Sequence, residues 1–307
     1  MTGGRKAATP PPERELPPGA EAWSLFGDPL VPPALDAGTR RDRERSLAEA
    51  RARFDAAPDD PETVIWLGRR TAYLGRYRDS IAVFSAGIEK FPAEPRFFRH
   101  RGHRFITTRR FEAAIADLET AGRLVANRPD EVEPDGLPNA RNLPTSTLNS
   151  NVWYHLGLAR YLMGDFERAL AAYRECAKFS TNPDMLVSTT HWLYMTLRRL
   201  GRDAEAVAVL EPILEGMDVI ENRDYHRLLL VDQGKLSADQ VLAEAADSGN
   251  AVAVATIGYG VGNWHLFNGR QREAVEVFRR VMAGGSWASF GYIAAEAELA
   301  RLRLPSR

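Results

Sequence analysis

Histidine is the side chain in this sequence best suited to acid–base chemistry or metal binding, and two of the six histidines lie in one unusual string. That string runs from His100 to Arg104 and reads His-Arg-Gly-His-Arg. His100 and His103 are three residues apart, so on a helix they share one face. A metal would need further histidines to converge on the same point, and the neighbouring arginines would repel a cation. The string favours structural histidines first, ligand binding by His103 and by the distant His191 second, and a metal site least, so we predict no metal.

Sequence patterns that mark common catalytic or cofactor sites are missing. We find no nucleophile elbow, phosphate loop, HExxH string or dinucleotide fingerprint. The glycine-rich string 258–263 follows no predicted strand, so its glycines are interpreted as points of close helix packing. The single cysteine, Cys176, fits a packed core thiol better than a nucleophile. We therefore predict no catalytic residue, no cofactor and no enzymatic activity, although sequence alone does not exclude a Ser/His/Asp set drawn from distant segments.

The composition narrows the class of protein. With 44% hydrophobic and 26% charged residues among 307, the chain has a globular composition rather than that of a disordered one. A net charge of −1 argues against a general nucleic-acid binder, and no apolar run approaches the roughly 20 residues that span a bilayer. One cysteine excludes an internal disulfide framework. Residues 1–35 lack the apolar core of a secretory signal, so we expect a cytoplasmic protein without nucleic-acid or membrane partners.

The elements that position these side chains repeat with a period of 34 residues. Pro58 and Pro92 are 34 apart, and so are Gly68 and Gly102. Within 61–94, apolar residues recur at i, i+3, i+4 and i+7 in two short runs, which predicts a pair of amphipathic helices. One such pair cannot bury its own apolar stripe, so consecutive pairs must stack into one continuous core.

The repeated unit resembles the tetratricopeptide repeat (TPR) family. The clearest copy, 150–183, carries Leu156-Gly157, Gly164-Asp165, Ala169 and Tyr173 at the family's positions. The copy at 95–128 departs from the pattern, with Arg101 where leucine is usual and Arg109 where glycine is usual. The resemblance implies an all-α TPR-type solenoid, a right-handed superhelix of antiparallel helix pairs with capping helices. The repeats are expected near 61–94, 95–128, 150–183, 187–220, 220–253 and 255–288.

The remaining segments complete the expected domain organisation. Residues 1–35 are read as a proline-rich tail, in which Trp23–Phe26 could dock on the body, and residues 36–304 as the solenoid. A lead helix at 39–57 and a cap helix at 287–304 would cover the two open ends of the core.

The resemblance also implies which side chains face the concave groove, because the first helix of each pair lines it. These positions lack carboxylates, and an Arg, His and Tyr wall suits an acidic or carboxylate-bearing peptide or partner. The match to a TPR carboxylate clamp is imperfect, since that clamp uses Lys and Asn and only Asn151 is easily placed. The candidate ligand-binding residues are Arg69, Tyr73, Arg99, His103, Tyr154, Tyr161, His191, Arg198, Tyr259 and Asn263.

One insertion breaks the period. The segment 129–149 is acidic and proline-rich, and a loop of this length is usually functional or disordered. It could fold over the groove, fill the groove with its own carboxylates at 130–135, or be a passive insertion. The main hypothesis is a protein-interaction module that binds an acidic peptide. The alternative is a small-molecule-binding protein or enzyme with a His/Arg/Tyr pocket closed by this loop.

Overall fold

The computed structural model describes residues 15–303, and within that range the chain forms fourteen α-helices and one two-stranded hairpin. The prediction of an all-α TPR solenoid is confirmed, because the helices follow one another as packed antiparallel pairs. The helices are α1 (Ala37–Ala56), α2 (Pro61–Tyr73), α3 (Tyr77–Lys90), α4 (Pro95–Thr107), α5 (Phe111–Val125), α6 (Leu148–Leu162), α7 (Phe166–Ala177), α8 (Pro183–Arg199), α9 (Asp203–Val209), α10 (Arg223–Asp232), α11 (Ala238–Asp247), α12 (Ala251–Phe267), α13 (Gln271–Met282) and α14 (Phe290–Arg301).

Local sequence sets where each pair begins and turns. Asp60 caps α2 by accepting a hydrogen bond from the Glu62 amide at 2.9 Å, and Pro61 fills the first helical position, where no amide hydrogen is needed. Gly75 follows α2 with φ +78°, a left-handed conformation that suits glycine and turns the chain into α3. These signals recur along the chain, which is why the period was visible in the sequence.

Glycine on the first helix packs against an aromatic ring on the second in three of the pairs. A Cβ atom added at Gly68 would lie 2.4 Å from the Phe84 ring, and one at Gly157 would lie 2.7 Å from the Tyr173 ring. Phe84 and Tyr173 are both almost fully buried. The backbone of one helix therefore lies directly against the ring of the next, at a distance that a larger side chain would prevent.

The two departures of the second repeat have structural causes. Arg101, in place of leucine, forms an ion pair between its Nε and Oδ2 of Asp117 on α5 at 2.7 Å. Arg109, in place of glycine, keeps the left-handed φ of +62° between α4 and α5. Its guanidinium contacts the Glu296 carboxylate of α14 at 2.7 Å, and both side chains are buried. A buried ion pair thus accompanies a conformation that costs a non-glycine residue about 1–3 kcal/mol.

The N-terminal hairpin region packs against the segment around α14. The N-terminal segment forms a small antiparallel hairpin from β1 (Ala22–Trp23) and β2 (Pro29–Leu30). The amide of Leu25, within the proposed docking segment Trp23–Phe26, donates to Oε1 of Glu296 at 2.6 Å. Trp287 Nε1 donates to the Val31 carbonyl at 2.7 Å. Residues 1–14 of the predicted tail lie outside the described range.

Helix α14 lies along the inside of the solenoid as well as capping its end. It packs on α12 and α13, and it also reaches α6, the first helix of the third repeat. Its first residue, Phe290, contacts the His103 ring of α4 with centroids 5.3 Å apart. Glu298 pairs with Arg199 of α8 at 2.7 Å. The inner wall is consequently covered over much of its length by the chain itself.

Candidate functional site: a cationic cavity under the inserted loop

The inserted loop lies across the first helices of the first two repeats. Residues 131–136 run in extended form over α2 and α4, anchored at one end by backbone hydrogen bonds from Glu133 N to Ser146 O and from Leu148 N to Glu131 O. The loop's other end contacts the 218–221 segment through Arg141, whose guanidinium pairs with Asp218. The loop therefore covers one part of the inner wall.

Glu133 is the most deeply buried acidic residue of the loop, and its carboxylate lies against the inner wall. Its Oε1 lies 2.8 Å from a guanidinium nitrogen of Arg99, with about nine-tenths of both side chains buried. The same guanidinium donates toward Nδ1 of His100 at 3.0 Å. Arg99 Nε and Glu133 Oε2 remain without a partner among residues 15–303. The ion pair thus leaves one donor and one acceptor unused in a buried place.

Two more arginines hold the backbone of the same loop segment. Arg69 donates to the Pro134 carbonyl at 2.7 Å and Arg70 donates to the Gly136 carbonyl at 2.7 Å. Trp66 supports both guanidinium groups, whose carbon atoms lie 4.5 and 4.9 Å from its ring. Gly136 lies so close to Tyr73 that an added Cβ would meet the phenol oxygen. Only glycine lets the loop approach the wall here.

Beneath the loop, a cavity of about 110 Å³ lies beside the Arg99–Glu133 ion pair. We call this cavity and its wall the cationic site. Its lining contains three arginines, two histidines and one carboxylate, so that positive charge predominates. The lining residues are Arg69, Ala72, Tyr73, Phe84, Arg99, His100, His103, Arg104 and Glu133.

Arg69 and Arg104 both lack a carboxylate partner, but Arg69 donates to the Pro134 carbonyl, whereas Arg104 has no acceptor among residues 15–303. Within residues 15–303 it has no ion pair and no side-chain hydrogen bond, and its guanidinium lies 5.6 Å from the Tyr77 ring centroid. Burial lowers the pKa of Arg104 to about 10, so the side chain is still charged at neutral pH. A half-buried cation without an ion pair attracts an anion that can enter the site.

The histidines of the site are neutral. Burial, together with the nearby arginines, lowers the pKa of His100 and of His103 well below its ordinary value, and the same holds for His155 on α6. The His103 ring packs against His155 and Phe290, and His100 stacks on Phe84. Among the described residues, 15–303, no group of three His, Cys, Asp or Glu side chains could hold a metal ion.

Three other candidate residues form a buried hydrogen-bonded group that we call the phenol cluster: Tyr161, Tyr259 and Asn263. The Tyr161 and Tyr259 hydroxyls are 2.9 Å apart, and the Asn263 amide donates to the Tyr161 hydroxyl at 2.8 Å. All three side chains are at most 1% exposed. The sequence placed them on the groove stripe, but the structure encloses them between α6, α12 and α14, so they are closed to a partner.

The remaining candidates are also engaged internally. The Tyr154 hydroxyl lies 3.3 Å from that of Tyr225, and His191 packs against the Tyr225 ring. Arg198 pairs with Asp203 at 2.8 Å and donates to the Tyr194 hydroxyl. Of the ten predicted residues, the structure brings together only Arg69, Tyr73, Arg99 and His103 at one cavity.

Sequence reasoning missed two functional groups of this site. Arg104 follows His103 in the string His100–Arg104, where the sequence alone indicates only a charge that repels a metal. Glu133 was seen only as one of several loop carboxylates. The loop contacts arginines of α2 and α4 that lie 34 to 66 residues earlier in the sequence, and such a contact leaves no periodic signal.

None of the helices in the described part of the chain is long and apolar enough to cross a membrane.

Comparison with known proteins agrees with the repeat architecture. Residues 150–182 match the family model described as the tetratricopeptide repeat. Three solved structures illustrate the similarity. A tetratricopeptide repeat protein from Parabacteroides merdae ATCC 43184 is 12% identical, covers 86% of this chain and 95% of its own, and has a TM-score of 0.49. YrrB, described as a TPR protein with an unusual peptide-binding site, is 12% identical. The match covers 83% of this chain and 98% of YrrB, with a TM-score of 0.43. MamA is 16% identical. The match covers 65% of this chain and 89% of MamA, with a TM-score of 0.43. No curated protein matches the sequence significantly.

Proposed function

We propose that this chain is a protein-interaction module that binds an acidic, extended peptide segment of a partner, a role supported by its repeat fold and by the match of residues 150–182 to the tetratricopeptide repeat model. The binding place is the inner wall of the first two repeats, where its own loop now lies. The partner segment would replace residues 131–136, and a carboxylate of the partner would take the place of Glu133 on Arg99. The chain itself catalyses no reaction in this proposal.

The observation that carries the proposal is the way the loop is held. Three arginines of α2 and α4 grip one carboxylate and two backbone carbonyls of an extended segment, at 2.7–2.8 Å. Backbone carbonyls and a glutamate are groups that any acidic peptide offers. Each charge-assisted hydrogen bond of this kind stabilises a complex by about 1.5–3 kcal/mol. The loop segment therefore serves as a stand-in for a bound peptide.

Competition between loop and partner follows from the tether. A segment attached by a short linker competes at an effective concentration of about a millimolar. A partner peptide with the same contacts would bind weakly to the intact protein and more tightly when the loop's own grip is loosened. Removing the charge of Glu133 loosens that grip without changing the wall.

The experiment uses a fluorescein-labelled peptide that copies residues 129–138, and fluorescence anisotropy measures its binding to the whole protein. We expect weak binding to the native protein. Glu133→Gln in the protein should bind the peptide about tenfold more tightly, since a tenfold change corresponds to 1.4 kcal/mol. Arg99→Gln in addition should abolish that binding, because the carboxylate acceptor site is gone.

Arg101→Gln is the matched control. It removes the same charge from the same helix, but Arg101 pairs with Asp117 away from the cavity. Circular dichroism checks that all variants keep their helicity. Equal peptide affinity for the Arg99→Gln and Arg101→Gln variants would contradict the proposal, and so would a Glu133→Gln protein that binds no better than the native one.

A further inference from the structure

We propose that the cavity of the cationic site also binds a free, phosphate-sized divalent oxyanion while the loop remains in place. This site differs from the peptide-binding surface. The peptide would lie where the loop lies, whereas the anion would lie beneath it, beside the Arg99–Glu133 ion pair. The inference does not depend on the proposed function.

The charges that line the cavity do not balance. Three guanidinium groups, those of Arg69, Arg99 and Arg104, face the single carboxylate of Glu133. Only Arg99 forms an ion pair with it. Asp135 lies in the neighbouring part of the loop, but within residues 15–303 its carboxylate is not within 4 Å of any guanidinium nitrogen. Two arginines of the wall thus remain without a carboxylate, which matches the charge of a dianion.

Hydrogen-bond donors are left unused around the same space. Arg99 is 7% exposed, and its Nε has no acceptor. The five donors of Arg104 have no acceptor among the described residues, and the Tyr73 hydroxyl has no hydrogen-bond partner there either. A buried polar group without a partner is costly, so a ligand that accepts from Arg99 Nε would be stabilising, and the half-buried donors of Arg104 and Tyr73 are free to bind the same ligand. An oxyanion with three or four oxygens is such a ligand.

The size of the cavity selects a small ligand. The cavity volume of about 110 Å³ is well below the roughly 300–1,000 Å³ of pockets that hold drug-sized ligands. A tetrahedral oxyanion fits this space, whereas a peptide does not. The neutral histidines and the Phe84 ring complete the wall without adding a competing charge.

Binding of inorganic phosphate to the whole protein tests the inference. Thermal unfolding is followed by circular dichroism while phosphate is titrated against sodium chloride at constant ionic strength and pH. We expect phosphate to raise Tm by about 5 °C when its concentration reaches about 100 times Kd. Arg104→Gln should abolish that rise, whereas Arg101→Gln, which removes a charge from the same helix outside the cavity, should preserve it.

Other outcomes overturn the inference. Phosphate that fails to raise Tm in the native protein, or that raises it equally in the Arg104→Gln protein, would exclude the cavity as its site. Sodium acetate at equal ionic strength should give little stabilisation, and an effect equal to that of phosphate would overturn the assignment to a dianion. Arg104→Lys should retain part of the rise, since the charge remains and the planar fork is lost. Failure here leaves the peptide result untouched, because the peptide assay does not involve Arg104.

Discussion

Two stretches of the same inner wall are covered in different ways in this molecule. In the first two repeats, the wall is lined with arginines and covered by a polar loop over a cavity. In the third and later repeats, equivalent positions carry Tyr161, His191 and Tyr259, and neighbouring helices enclose all three completely. The repeat pattern assigns both stretches to one groove. What covers each stretch then decides whether its side chains can meet a ligand.

The difference indicates that charged side chains keep part of the wall from being packed against apolar helices. Phenols and amides can hydrogen-bond to each other, as the Tyr161 and Tyr259 hydroxyls and the Asn263 amide nitrogen do, which lowers the cost of burying them among other helices. Several guanidinium groups cannot satisfy each other, so they need anions or carbonyls from elsewhere. The arginine-lined stretch is therefore the part of the inner wall that is suited to bind an anion or a carbonyl group.

Breaking the ion pair between Arg109 and Glu296, which joins the second repeat to α14, should have the largest effect on stability. Arg109→Ala removes the guanidinium that pairs with Glu296 and leaves a buried carboxylate uncompensated. We expect the free energy of unfolding to fall by about 3–5 kcal/mol, as measured by urea denaturation. Arg110→Ala is the control, since Arg110 is exposed and has no ion pair among residues 15–303. A similar small loss in both variants would show that α14 is not held by this contact.

The phenol cluster should show a smaller effect. Tyr161→Phe removes the acceptor of the Asn263 amide and the partner of Tyr259, which we expect to cost about 1–3 kcal/mol of unfolding free energy. Tyr73→Phe, at the cationic site, removes a hydroxyl that has no such partner and should leave stability nearly unchanged. If urea denaturation gave the two variants equal losses, the contrast between the buried and the open wall would fail.

The change in unfolding free energy with pH should be the smallest of these effects when it is counted per pH unit. Burial lowers the pKa of His191 from its ordinary value of 6.5 to about 3, so the folded protein holds this ring neutral while the unfolded chain protonates it. The stabilisation is complete above pH 6.5 and is lost, as pH falls toward 3, at about 1.4 kcal/mol per pH unit.

His191→Leu should therefore make the fall in stability between pH 6 and pH 4 shallower by that amount. Urea denaturation at several pH values measures the slope. Met195→Leu, a buried change on the same helix without a titratable group, should keep the native slope. Identical slopes for the His191→Leu and native proteins would mean that the ring is protonated in the folded state.

The repeat architecture was predictable because its signals are local. Proline at a helix start, glycine after a helix and a glycine opposite an aromatic ring lie within one 34-residue unit, and the structure shows each of them at Pro61, Gly75 and Gly68. The departures at Arg101 and Arg109 were also visible. Their partners were not, because Asp117 and Glu296 are chosen by tertiary packing rather than by the repeat.

The candidate site was only partly predictable for the same reason. The groove stripe identified Arg69, Tyr73, Arg99 and His103, which do meet at one cavity. It also included Tyr161, Tyr259 and Asn263, because a helix position alone does not reveal that α14 covers it. A position in a repeat fixes the direction of a side chain, while exposure depends on distant segments that return to cover it.

The contact of Arg109 with Glu296 also limits how this protein can change in evolution. An open array gains or loses a unit with little effect on the others, since each unit touches only its neighbours. Here an added unit between the second and the last would rotate and displace Glu296 away from both Arg109 and Leu25. The number of units is therefore fixed by the meeting of the two ends, and duplication within the gene is expected to break the protein rather than lengthen it.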